Sequence, residues 1–248
     1  MSDDDAVPAR RDFLRKSLTL IPVVTLASAG FPASGMADTS AKPAADRTEP
    51  ASASAAGDYK PTFFTPEEWA FVNAACARLI PADDLGPGAK ELGVPEFLDR
   101  HMQSPYANGA IWYMQGPFLE AAPEFGYQGR MNLKEIIRAG IKAFDAYAKK
   151  DAGKAFADLD PAKQDDLLKG AEAGKLQFEG VGSKLFFSNF LAEVRNGFFA
   201  DPSYGGNKNM GGWKLIGYPG MRADYMDWIT VRDKPYPLGP VDLAGRRG

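Results

Sequence analysis

The chain has 248 residues but one cysteine and one histidine, Cys76 and His101. A single cysteine excludes an intrachain disulfide, a cysteine-ligated iron–sulfur cluster and the C-x-x-C-H attachment of a c-type haem. A single histidine excludes a multi-histidine zinc centre. Charge of one sign is lacking as well: 29 Lys+Arg stand against 32 Asp+Glu, a formal net charge of −3. Phosphate binding favours a basic surface, so nucleic acid is not the expected partner. There is no long apolar run. The stretch Leu18–Ala29 includes Thr19, Pro22, Thr25 and Ser28 and is shorter than the roughly 18–20 residues of a membrane span. A dinucleotide cradle is missing too, because Gly180-Val181-Gly182 continues as Ser183-Lys184-Leu185 and lacks the third glycine. What remains is 45% hydrophobic and 25% charged residues, the composition of a soluble globular protein long enough to bury a substantial core.

The first residues read as an address. Arg10-Arg11-Asp12-Phe13-Leu14-Arg15-Lys16 precedes the apolar run, and small residues continue to Ala37. A charged start, an apolar middle and a small-residue end are the layout of a secretory signal. The arginine pair with Phe13 and Leu14 makes it similar to a twin-arginine signal. Residues 1–37 are therefore assigned as the signal, with cleavage after Ala37 preferred to cleavage after Ala29. That route carries cargo already folded, often with a cofactor inserted, yet this chain has no cofactor motif; the mismatch points to a travelling partner.

Residues 38–58, rich in Ala, Ser, Thr, Pro and Asp, read as a disordered linker. The folded domain is assigned to 59–248. Thr65-Pro66-Glu67-Glu68 signals a helix start, and Trp69, Val72, Cys76, Leu79 and Ile80 follow at helical steps. Further helices are expected near Val94–Met102, Ile111–Glu120, Asn132–Lys149, Pro161–Glu172 and Ser183–Phe199. Trp213–Tyr218 reads as a short strand. The expected fold is mostly α, a single compact helical domain ending in a long Gly- and aromatic-rich loop region.

Candidate chemistry is sparse. His101 can be read as a general base beside a carboxylate, or as a partly buried residue capping a helix end, which is the preferred reading. Asp83 and Asp84 can offer oxygen ligands, but the loop lacks the further spaced carboxylates of a calcium site; turning the chain is the preferred role. Cys76 lies on an apolar helix face and reads as core. No catalytic, cofactor-binding or metal-binding residue is assigned.

The segment from Phe198 to Gly220 is different. Its glycines allow close backbone approach, while Tyr204, Trp213 and Tyr218 supply large amphipathic surfaces. It can be a loop packed on its own helices, a surface for a partner protein, or both. Tyr204, Gly205, Gly206, Asn207, Trp213 and Tyr218 are the candidate interface.

Phe-Phe-Ala-Asp-Pro-Ser-Tyr-Gly-Gly-Asn (198–207) and Gly-Trp-Lys-Leu-Ile-Gly-Tyr-Pro-Gly (212–220), with Leu-Ile-Pro-Ala-Asp (79–83) and Gly-Pro-Gly-Ala (86–89), resemble the gluconate 2-dehydrogenase subunit 3 family over roughly residues 60–225. The resemblance implies a small, non-catalytic subunit of a membrane-bound, flavin-dependent dehydrogenase on the periplasmic face of the bacterial cytoplasmic membrane. FAD would sit in a larger subunit and haem c in a multihaem cytochrome c subunit that passes electrons to quinone and provides the membrane attachment. Related complexes oxidise 2-ketogluconate, fructose or sorbitol. The alternative of another class is a stand-alone periplasmic enzyme using His101 with Asp83 and Asp84.

Overall fold

The computed structural model describes residues 59–248 except 113, 120 and 224. The assigned signal 1–37, with Arg10, Arg11, Phe13 and Leu14, and the linker 38–58 lie outside the described residues.

Capping chemistry sets where the helices begin. At the start of α1 (Pro66–Leu79) the Thr65 side chain accepts the Glu68 N–H, and Glu68 accepts the Thr65 N–H in return. Asn132 and Glu135 repeat the device at α3 (Leu133–Ala152), and Asp160 followed by Pro161 opens α4 (Pro161–Glu172). Helix α2 (Val94–His101) and helix α5 (Ser183–Phe199) lack a side-chain cap; burial of their apolar faces has to carry them. A short α6 (Gly211–Ile216) follows. The domain is mostly helical and single, and no sheet forms among the described residues.

Helix α5 is the axis on which α2, α3 and α4 pack. Its Phe186 and Phe190 meet Phe71 of α1, and Phe144 and Phe156 close the cluster. All five rings are essentially inaccessible. Each such ring contributes about 2–3 kcal/mol through area burial, and each edge-on pair roughly 0.5–1.5 kcal/mol beyond it.

The domain's first residues are held by one carboxylate. Asp99 is fully buried and accepts from the Tyr59 hydroxyl at 2.8 Å, from the N–H and hydroxyl of Thr62 at 2.8 and 3.1 Å, and from the N–H groups of Phe63 and Phe64 at 3.0 and 2.9 Å. Burial alone would raise the Asp99 pKa. These donors outweigh it and hold the group below the usual range.

Two expected elements differ. The described residues between 111 and 119 form no helix: they run through turns and irregular chain, and a 3₁₀ turn follows at Pro123–Phe125. Gly116 and Pro117 interrupt the pattern, and Pro117 has no N–H to donate. The stretch from Trp213 is helical rather than extended, since it forms α6 as far as Ile216. Among the described residues no strand pairs with it, and Gly217, at φ 67°, stops the helix.

Candidate functional site

The Gly- and aromatic-rich segment folds into a knot against the C-terminal end of α5. Asn207 is fully buried in the left-handed region; its amide donates to the Ala200 carbonyl and its Oδ1 accepts the Gly212 N–H, both at 2.8 Å. A side chain at Gly212 would run into the Phe198 carbonyl oxygen. The Trp213 ring is 4% exposed and its indole N–H donates to the Phe199 carbonyl at 2.7 Å. Of the six candidate interface residues, Gly205, Gly206, Asn207 and Trp213 are buried, while Tyr204 and Tyr218 reach the surface.

The knot is also tied to α2. Lys208 donates its N–H to the Leu92 carbonyl, and its ammonium lies 2.8 Å from Glu96, which pairs with Arg100 as well. One turn further on, His101 ends α2. Its ring stacks on Phe97 and tilts against Tyr106. These residues, with Arg100, Ser104, Pro105, Ile111, Ser203 and Tyr204, line a cavity of about 570 Å³. A larger cleft along α3, about 770 Å³, is walled by Lys142, Lys150, Asp151 and Glu179 and lies away from every candidate residue.

Behind His101 stands Glu193 of α5, 3% exposed. Its Oε1 accepts from Asn196, whereas its Oε2 makes no hydrogen bond. The His101 Nε2 approaches that oxygen to 3.3 Å without the alignment of a bond. Burial pushes the Glu193 carboxyl up to about 7, with Asn196 pulling slightly the other way, and burial lowers the His101 imidazole. A proton between them would satisfy the orphan oxygen, with protonated Glu193 donating to neutral His101.

Asp83 and Asp84 are exposed and do not line this cavity. Asp83 accepts the Leu85 N–H and pairs with Gly86, so it turns the loop. Cys76 is fully buried, and that burial raises its thiol well above the ordinary range. Among the described residues no group of three or more His, Cys, Asp or Glu is placed to hold a metal ion, and no helix is long and apolar enough to cross a membrane. Sequence reasoning missed Glu193 and Asp99. A signal for Glu193 was present: it falls on the same helical stripe as Phe186, Phe190, Val194 and Gly197, where a carboxylate has no solvent.

The knot, α1 to α6 and the His101 cavity all lie within the span where a family model fits: the model for gluconate 2-dehydrogenase subunit 3 matches residues 66–220. The chain belongs to this family. No curated protein and no solved structure matches it. Membership of the gluconate 2-dehydrogenase subunit 3 family implies partnership with other dehydrogenase subunits. In this family member the signature glycines and Asn207 build the knot, and the tyrosines are what it leaves at the surface.

Proposed function

We propose that the protein is the non-catalytic small subunit of a periplasm-facing, membrane-bound, flavin-dependent gluconate 2-dehydrogenase. The complex oxidises gluconate to 2-ketogluconate and passes electrons through a cytochrome c subunit to quinone. In this reading FAD and haem c belong to the partner subunits, and this chain serves their folding, export and stability. A 2-ketogluconate, fructose or sorbitol dehydrogenase is the same reading with another substrate. The observation that carries it is the family match across the helical domain. The residue inventory supports it: covalent haem attachment needs two cysteines and the chain has one. A stand-alone enzyme built on His101, Asp83 and Asp84 gains no support, because the aspartates do not share the histidine's cavity.

Co-expression tests the reading. The full chain, tagged and produced with its genomic neighbours, should co-purify with a flavoprotein and a cytochrome c and with gluconate-dependent quinone reduction. Purification as a lone, catalytically active protein would refute it.

A further inference from the structure

The cavity at the end of α2, about 570 Å³, falls within the ~300–1,000 Å³ of small-molecule sites. Its wall is aromatic. The Phe97 and His101 rings lie stacked, 11° from parallel with centroids 5.1 Å apart, and Tyr106 tilts onto His101 at 5.2 Å. Ile111 and Tyr204 line the cavity as well and are 67% and 57% exposed, so the domain's own packing leaves this apolar surface uncovered. Predominantly apolar walls with a few converging polar groups are the usual make-up of a ligand pocket.

Charge decides what such a pocket can take. Among the described residues that line it, Arg100 alone is permanently charged. Its guanidinium pairs with Glu96 and lies over the Tyr59 ring. A cation entering beside the rings would be opposed by Arg100. An anion would find no unpaired cation among these residues to offset its desolvation, and would approach the Glu193 carboxyl behind the wall. The lining therefore suits an uncharged ring.

Glu193 adds a second observation, because it fixes what His101 can offer. The orphan Oε2 lies 3.3 Å from the His101 Nε2. With the proton of this pair on Glu193 and directed at Nε2, the neutral imidazole carries its own hydrogen on Nδ1. That nitrogen makes no hydrogen bond among the described residues. A donor without a protein acceptor, set in an aromatic wall, is matched by a ligand that brings an acceptor oxygen.

We propose that the His101 cavity is a binding site for small, uncharged aromatic molecules bearing a carbonyl oxygen, which accepts the His101 Nδ1–H, and that Glu193 is the positioning residue that keeps that hydrogen on Nδ1. The site goes beyond the reading of the chain as a dehydrogenase subunit and stands or falls separately from it.

Nuclear magnetic resonance of the full chain, labelled with heavy nitrogen, tests it. The chain has one histidine, so the imidazole signals belong to His101. At about pH 6, below the Glu193 value of about 7, they should show Nδ1 protonated and Nε2 bare. Acetophenone should shift them saturably, with a dissociation constant on the order of 1 mM. Benzoate, similar in shape but charged, should bind about tenfold or more weakly, and toluene, which lacks the oxygen, severalfold more weakly. Glu193→Gln, whose amide can donate to Nε2, should keep the tautomer and the affinity. Glu193→Leu should move the hydrogen towards Nε2 and bring acetophenone down to the level of toluene. Absence of a saturable acetophenone shift in the wild type overturns the site. Benzoate binding as tight as that of acetophenone overturns the selection for an uncharged ligand, and equal binding of toluene overturns the carbonyl contact. Nε2 found protonated in the wild type overturns the role of Glu193. All four of these outcomes are read on the wild type and do not depend on a variant folding.

Discussion

Glu193 stores a cost that pH can release. A carboxyl whose folded pKa is raised from its usual 4.5 to about 7 contributes stability that is complete below pH 4.5 and lost as pH rises through 7. The lowered His101 pKa works in the opposite sense: its contribution is complete above 6.5 and is lost as pH falls. Above pH 6.5 the glutamate therefore dominates, and raising the pH to 8 should cost the wild type about 1 kcal/mol through this group. Thermal melts of wild type and Glu193→Gln across that range check it: the variant should show the flatter profile, and parallel profiles would assign the buried carboxyl an ordinary pKa. Asp99 has the contrary sign. Its lowered pKa places its contribution above pH 3.8, lost on further acidification. Asp99→Ala should destabilise by about 3–5 kcal/mol at neutral pH, because several buried donors lose their acceptor at once; urea denaturation measures it. Both residues show why part of the site was illegible. His101 could be seen near a helix end, but its partner lies 92 positions away, and no local pattern states which helices face each other.

At the scale of elements, what the sequence revealed follows the physics of each boundary. Helices with local caps or Pro at the first position, such as α1, α3 and α4, were legible because Thr65, Asn132 and Pro161 act on their own turn. The stretch at 111–120 misled because its few apolar residues suggested a helix face, while Gly116 and Pro117 deny it a continuous backbone ladder. In the knot, residue types were readable but their burial was not. Glycine and aromatics suit a docking loop and a tight self-packed turn equally well. The geometry of Trp213 yields an expectation: with the ring in the core and its N–H bonded to Phe199, Trp213→Ala should lower stability by about 3–5 kcal/mol. Comparison of the isolated variant's thermal midpoint with its capture of the flavoprotein separates core from contact. A normal midpoint combined with lost capture would make the ring an interface anchor after all.

For the whole molecule, the fold class and the family span were legible because they rest on patterns spread over many residues, whereas the reading of residues 1–37 as an export signal stands on a few. Changing Arg10 and Arg11 together to lysine should leave the subunit in the cytoplasm, since the receptor reads the arginine pair. If the flavoprotein lacks a signal of its own, cell fractionation should find it stranded alongside. Normal periplasmic dehydrogenase activity in the double mutant would rule out an escort role. The isolated domain is expected to show no visible absorbance and no stoichiometric metal, which a spectrum and elemental analysis decide. The clamp around Asp99 has a consequence for where this domain starts. The family match begins at residue 66, but a chain cut there would discard Tyr59, Thr62, Phe63 and Phe64 and strip the Asp99 side chain of the donors that cover it. The functional minimum is therefore longer than the recognisable one: those preceding residues are the counterpart that lets α2 keep a buried charge, and any truncation series should show its sharp loss of solubility between 59 and 66.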